Sequence, residues 1–173
     1  MARFTTTLLA TAMAAGIMLP GLSMAQAALS AKFTDPAWDG QKLPAGQQCS
    51  IDGGKGSTPA LEVSGLPDGT TEITLAFNDK TYVPMDNGGH GVIGFAVSPA
   101  GGVATLPAAP GETDELPAGV SVVTKNRGTG PYDKPGYLPP CSGGNGNRYT
   151  ATITALDASG ATLGTGEVEL GHY

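Results

Sequence analysis

The sequence has few of the residues from which metal and nucleophilic sites are built, because its 173 residues include only two histidines and two cysteines. A blue-copper site needs two His, one Cys and usually a Met, and the only histidine after Cys141 is His172, at the chain end. A zinc site is disfavoured by the same shortage of ligands. No G-x-S-x-G motif is present, and Gly53–Thr58 lacks the spacing of a phosphate-binding loop. We therefore expect no metal, no cofactor and no catalytic residue.

The chain also has little charge, and what it has is mostly negative. Charged residues make up 14% of the sequence, and the net charge is −6. This balance argues against nucleic acid or an anionic lipid surface as a partner, since both attract basic proteins. After residue 27 no apolar run approaches the roughly 20 residues of a membrane span, so we expect no transmembrane segment.

The first 27 residues have the pattern of a secretory signal peptide. Arg3 supplies a positive start, residues 8–19 are mostly apolar, and Ala25-Gln26-Ala27 offers a cleavage site. Ser23-Met24-Ala25 is a second acceptable site. We expect a signal peptide at residues 1–27, one domain at residues 28–173, and a periplasmic or secreted location.

Both cysteines, Cys49 and Cys141, lie in the part that would be exported. An even count in an oxidising compartment favours a disulfide between them. The alternative is two reduced cysteines in different parts of the fold.

Long helices are disfavoured by 27 glycines and 14 prolines. Three segments instead alternate apolar and polar residues with period two, which indicates half-buried antiparallel strands. They are Thr71–Phe77, Gly91–Val97 and Arg148–Ala155, and weaker strands are expected at Ala60–Ser64, Val120–Thr124 and Glu167–Leu170. A short helix is an option near Leu156–Ser159. The pattern predicts an all-β fold, an antiparallel β-sandwich with few or no helices.

Two polar residues stand at the ends of neighbouring predicted strands. Asp79 follows the strand that ends at Phe77, and His90 precedes the next strand among glycines. If those strands pair, a carboxylate, an imidazole and glycine N–H groups meet at one end of the sheet, which suits a small polar or anionic ligand. A loop histidine and an unrelated surface aspartate are the alternative.

The order of several short stretches resembles the phosphatidylethanolamine-binding protein family, in particular its bacterial Raf-kinase-inhibitor-like branch. They are Gly40–Pro44 with Cys49, Ser57–Pro67 with Asp68-Gly69-Thr70, Leu75–Asp79, the His90 strand through Ala100, Leu116–Gly119, Gly136–Cys141, and Asn147–Tyr149 through Asp157.

The resemblance implies a β-sandwich with a small anion pocket at one end. Asp79 would be the first pocket aspartate and His90 the first pocket histidine. One wall would be the loop from Tyr137 through Leu138, Pro139 and Pro140 to Cys141, with Tyr149 nearby. The family also suggests that Cys49 and Cys141 approach each other near this end.

The sequence departs from the family pattern at several pocket positions. Thr81 replaces the second aspartate, Lys80 the proline before it, and Asn147 the second histidine. Gly91 stands where an aromatic residue usually follows the first histidine, and Ser142-Gly143 replaces a Pro-Pro pair. One carboxylate and one imidazole are thus lost, while Lys80 adds a positive charge.

Three functions follow from these observations. The first is an exported, non-enzymatic protein that binds a small anion or a phospholipid headgroup through Asp79, Thr81, His90, Asn147, Tyr149 and the Tyr137–Cys141 loop. The second is a protein-interaction or inhibitor module that uses the same loops and has a vestigial pocket. The third is a hydrolase with His90 as base, for which no motif places a nucleophile.

Overall fold

The structure is a computed structural model that describes Met1 and residues 26–173. The predicted signal peptide falls almost entirely on residues 2–25, outside the described residues. Among the described residues, no helix has the length and hydrophobicity that a membrane span requires.

Nine strands and three short 3₁₀ turns make up the described chain. The strands are β1 (Ala27–Ala28), β2 (Ser30–Phe33), β3 (Leu61–Ser64), β4 (Glu72–Asp79), β5 (Val92–Ala96), β6 (Val103–Leu106), β7 (Val120–Thr124), β8 (Arg148–Leu156) and β9 (Thr162–His172). The 3₁₀ turns are Ser50–Asp52, Val83–Met85 and Gly130–Tyr132.

The strands form two sheets packed as a sandwich. The larger sheet has the order β1-β9-β8-β4-β5-β7, and the smaller one has the order β2-β3-β6. All pairings are antiparallel except β1 with β9, which is parallel. The predicted all-β class and sandwich are confirmed.

The core lies between the two sheets and follows the period-two pattern. Ile73, Leu75 and Phe77 of β4 are at most 1% exposed and pack in one cluster with Leu61 and Val63 of β3. A strand directs alternate side chains to one face, so the apolar face of β4 becomes the core face.

The proposed short helix near Leu156–Ser159 is wrong, because a tight turn connects β8 to β9. The Asp157 carboxylate accepts hydrogen bonds from the backbone N–H groups of Ser159 and Ala161, at 2.8 and 2.9 Å. An aspartate that bonds its own following backbone favours a turn over a helix.

Candidate functional site

The site lies at one end of the larger sheet, where β4 ends and β5 begins. β4 and β5 are antiparallel neighbours, and the ladder is extended by a bond from the His90 N–H to the Phe77 carbonyl, 3.1 Å. Asp79, the last residue of β4, pairs with Tyr149 of β8. Strand register alone therefore brings Asp79, His90 and Tyr149 to one place.

The Asp79 carboxylate is buried and is held by three protein donors. Oδ1 accepts the backbone N–H groups of Thr81 and Tyr82, both at 2.9 Å, and Oδ2 accepts the side-chain amide of Asn147 at 2.6 Å. The two backbone bonds form a turn of the kind that aspartate favours after a strand. The carboxylate thus fixes the start of the β4–β5 loop and the position of Asn147.

The His90 ring is buried, and its tautomer follows from its partner. Nδ1 lies 2.8 Å from the Leu138 carbonyl oxygen, and a carbonyl only accepts, so Nδ1 carries the proton. Burial lowers the pKa of His90 below its ordinary value, an effect that the Leu138 carbonyl and the Asp79 charge oppose only in part. The imidazole is therefore neutral at pH 7, and Nε2 is a hydrogen-bond acceptor.

Acidification should destabilise the protein through His90. The folded state holds this pKa below 6.5, so between the two pKa values the unfolded chain binds more protons, and stability falls as the pH drops below about 6.5. We expect NMR of a His172→Gln variant, which leaves His90 as the only histidine, to show a titration midpoint below 6.5. A midpoint at or above that value would show that burial does not control this ring.

The loop from Tyr137 to Cys141 forms a wall beside His90. The Leu138 N–H donates to the His90 carbonyl, 2.9 Å, and the Cys49 N–H donates to the Pro140 carbonyl, 3.0 Å. Cys49 and Cys141 form a disulfide with a Cα–Cα distance of 5.3 Å, which confirms the predicted pairing. The wall is therefore anchored at both ends, by His90 and by the disulfide.

Tyr149 closes the inner end of the site. Its ring lies edge-on to His90, with centroids 5.3 Å apart, and its hydroxyl accepts the Cys141 N–H at 3.3 Å. Burial raises the pKa of Tyr149, so the phenol keeps its proton. The hydroxyl therefore remains a hydrogen-bond donor at this end of the cavity.

A cavity of ≈ 630 Å³ opens at this end of the sheet. Of the ten site residues expected from the sequence, it brings six together: Asp79, His90, Leu138, Cys141, Asn147 and Tyr149. The other four, Thr81, Tyr137, Pro139 and Pro140, do not line it.

Tyr137 lies in the core, 1% exposed, with its ring 4.4 Å from that of Phe77. The Thr81 hydroxyl accepts the Arg148 N–H at 2.9 Å. Pro139 packs against Gly56 and Gly111, where an added Cβ would collide with its ring. Pro140 is buried, and its carbonyl accepts the Cys49 N–H.

The outer half of the cavity is built by residues that the sequence reasoning missed. Tyr82, Pro84 and Met85 come from the β4–β5 loop, while Arg127 and Tyr132 come from the segment after β7. Loop residues have no periodicity that would assign them to a face. The available signal was an arginine beside glycine, Asn126-Arg127-Gly128, shortly before the Gly136-Tyr137 loop.

Asn126 orients this second segment. Its buried side chain donates to the Lys134 and Gly136 carbonyls, both at 2.8 Å, and accepts the Gly128 N–H at 3.0 Å. The Arg127 N–H donates to the Gly89 carbonyl at 2.8 Å. Arg127 is thereby held next to the residue that precedes His90.

Residues 34–171 match the sequence model of a family that is described as "Phosphatidylethanolamine-binding protein". The chain belongs to the phosphatidylethanolamine-binding protein family. The chain is also similar to two solved structures. CT736 of Chlamydia trachomatis, a homologue in this family, is 21% identical over 86% of this chain and 97% of its own, with a TM-score of 0.47. YbcL of E. coli, described as a member of the mammalian family, is 18% identical over 83% of this chain and 96% of its own, with a TM-score of 0.49. No curated protein matches the chain.

The structure shows the surroundings of two residues, Gly91 and Lys80, that depart from the family's pocket pattern. Gly91 has φ +109°, and an added Cβ would lie 3.2 Å from the Gly136 oxygen and 3.3 Å from the Tyr137 Cα. An aromatic side chain at this position is therefore unfavourable. Lys80, expected to add positive charge, instead pairs with Asp86 at 2.8 Å, so its charge is already neutralised.

Among the described residues, one group of three side chains brings metal-ligand atom types close together, and it consists of Cys49, Asp52 and Cys141. The two sulfurs are bonded to each other, and metal binding requires thiolates. This group is thus a disulfide beside an aspartate.

Proposed function

We propose that this protein is an exported, non-enzymatic binding protein whose cavity takes a small ligand with an anionic group, of the size of a phospholipid headgroup. The observation that carries the proposal is the convergence of Asp79, His90, Asn147 and Tyr149 at the inner end of one cavity. Its volume of ≈ 630 Å³ lies within the range of about 300–1,000 Å³ that small-molecule sites occupy.

The polar groups around the cavity favour binding over reaction. Ser142 has the hydroxyl nearest in sequence to the wall, and it donates to the Tyr173 carbonyl at 2.7 Å. Among the described residues, the hydrogen bond of the His90 ring runs to the Leu138 carbonyl and not to a hydroxyl. A nucleophile activated by a base needs such a contact, so a hydrolase is not supported.

Export is supported by the disulfide and by the leader pattern. Disulfides persist in oxidising compartments and are rare in the cytosol. β1 begins at Ala27 and pairs with β9 through Gly164 and Thr165. Cleavage after Ala25 would keep both residues of β1, whereas cleavage after Ala27 would remove one.

The proposal is tested by NMR titration of the folded domain with phosphorylethanolamine and with inorganic phosphate. We expect saturable shifts of the His90 ring and of the Asn147 side-chain amide at millimolar ligand or below. His90→Gln should weaken binding, and His172→Gln, which alters an exposed histidine outside the cavity, should not. If neither ligand shifts His90 or Asn147, the binding proposal is wrong.

Exposed apolar residues on and beside the cavity lining favour a second function, the protein-interaction or inhibitor module. Tyr82 and Tyr132 line the cavity and are 56% and 39% exposed, and Val83, which follows Tyr82, is 79% exposed. Aromatic residues are enriched at protein interfaces. Affinity capture from periplasmic extract tests it, with a Tyr82→Ser/Tyr132→Ser variant as control. A partner that binds both forms equally would contradict a role for this rim.

A further inference from the structure

Two Asn-Gly pairs occur in the sequence, Asn87-Gly88 and Asn145-Gly146. In such a pair the backbone nitrogen of the glycine attacks the side-chain carbonyl carbon of the asparagine, because glycine has no Cβ to block the approach. The new C–N bond closes a succinimide ring, and the side-chain nitrogen leaves as ammonia with the proton of the glycine N–H. Water then opens the ring at either carbonyl and gives aspartate or isoaspartate. The sequence makes both pairs candidates for this reaction, and the structure distinguishes them.

The Gly88 nitrogen is held in a buried hydrogen bond. Gly88 is buried, and its N–H donates to the side-chain oxygen of buried Asn78 at 2.7 Å. The Asn87 backbone is also fixed, since its N–H donates to the Asp86 carboxylate at 2.7 Å and its carbonyl accepts Arg127 Nη2 at 2.6 Å. Attack by the Gly88 nitrogen requires the loop to open and the bond to Asn78 to break. The fold therefore protects this pair.

The Gly146 nitrogen is in the opposite situation. Asn145 and Gly146 are exposed, and a Cβ added to Gly146 would meet no atom within 4 Å. Among the described residues, the Gly146 N–H has no hydrogen-bond acceptor. A surface hydrogen bond from Nδ2 to the Ser142 carbonyl holds the Asn145 side chain, and water competes for it. Gly143 and Gly144 precede the pair and are exposed as well, so the backbone has the freedom to rotate that ring closure requires.

Asn145 lines the cavity, so its modification changes the candidate site. It lies on the lining together with Ser142 and Asn147, and the Asn147 side-chain amide donates to Oδ2 of Asp79. A carboxylate in place of the Asn145 amide adds a negative charge to this lining and no longer donates to the Ser142 carbonyl. The turn that leads into Asn147 must then change its hydrogen bonding.

We propose that Asn145-Gly146 is a site of spontaneous modification in the folded protein, at which hydrolysis replaces the Asn145 amide by a carboxylate on the cavity lining. The reaction needs no second protein and no oxidant, since Gly146 supplies the nucleophile and solvent water supplies the oxygen. With time, the protein becomes a mixture of two forms that differ in the charge of the cavity. This inference goes beyond the proposed function, because it concerns the covalent chemistry of the chain and not its ligand.

Incubation of the folded protein at mildly alkaline pH tests the inference, with peptide mapping by mass spectrometry at successive times. Each conversion replaces NH₂ by OH and so raises the peptide mass, and it adds a negative charge that isoelectric focusing detects. We expect conversion at Asn145 and a rate at Asn87 at least about 10-fold lower. Such a factor corresponds to a local opening that costs about 1.4 kcal/mol.

The unfolded chain is the first control. In denaturant with the disulfide reduced, both Asn-Gly pairs lack the protection of the fold, and we expect them to react at comparable rates. Asn145→Gln should abolish the acidic form of the folded protein, because attack on a glutamine side chain would close a larger and less favourable ring. The matched control is Asn87→Gly, which suits the positive φ of 50° at this exposed residue. It should leave the rate of acidic-form appearance unchanged.

The outcomes separate protection by the fold from local sequence. If Asn145 stays unmodified in the folded protein while the unfolded chain converts, or if Asn87 converts as fast as Asn145, the inference is wrong. NMR of the converted protein tests the link to the site, and we expect the Asn147 side-chain amide signal to shift. An unchanged signal would contradict that link. None of these results bears on the proposed function, since no ligand is added.

Discussion

Replacing Cys49 and Cys141 together with alanine is expected to lower the free energy of unfolding by about 4–5 kcal/mol, because the disulfide closes a very long loop. The two cysteines are 92 residues apart in sequence. In the chain-entropy model, such a cross-link removes many conformations from the unfolded state, and the stabilisation grows with the logarithm of the loop length. Denaturant unfolding followed by circular dichroism measures the change.

The same substitution should affect the site, because Cys141 is the last residue of the wall. The Leu138 carbonyl of this wall accepts a hydrogen bond from His90 Nδ1. We expect weaker binding of phosphorylethanolamine even where the protein remains folded. Reduction of the unmodified protein is the control and should reproduce the loss of stability. A decrease below about 1 kcal/mol in both experiments would contradict a large contribution from loop closure.

The centre of the larger sheet could be predicted from the sequence because its strands alternate strictly. Residues 71–77, 91–97 and 148–155 were predicted as strands, and β4, β5 and β8 occupy these segments within one or two residues at each end. β2 and β6 could not be predicted, because neither Ser30–Phe33 nor Val103–Leu106 alternates large apolar with polar residues as the equally short β3 does with Leu61 and Val63. β9 was predicted at its apolar end only, because Gly164 and Gly166 interrupt its pattern.

The site was predictable where a strand end fixes a residue and not where a loop does. The sequence predicts that Asp79 and His90 lie close together if the two strands next to them pair. Tyr137 illustrates the limit, since the loop turns its ring inward against Phe77 while Leu138 lines the cavity. Arg127 depends on bonds to carbonyls about 40 residues away in the sequence, which no local pattern reveals.

Asp79→Ala should lower the free energy of unfolding by about 3 kcal/mol, because hydrogen bonds to a charged group contribute roughly 1.5–3 kcal/mol each and buried donors are costly to leave unpaired. The residue is 3% exposed and accepts the N–H groups of Thr81 and Tyr82 and the Asn147 amide. Thr81 and Tyr82 are exposed, so water recovers part of the loss, and the estimate lies well below the sum of the three bonds.

Two further variants isolate the cause. Asp79→Asn keeps an acceptor for the backbone N–H groups, and a rotated Asn147 amide can present its oxygen to the new amide, so we expect a decrease of about 1 kcal/mol. Asp157→Ala removes an aspartate that also accepts three hydrogen bonds, in the exposed turn between β8 and β9. Water can reach those donors, and the change should be clearly smaller. If Asp79→Ala lowered the free energy of unfolding no more than Asp157→Ala, burial would not explain how the Asp79 carboxylate stabilises the fold. The turn that positions Tyr82 and Asn147 on the cavity would then have to be held by other contacts.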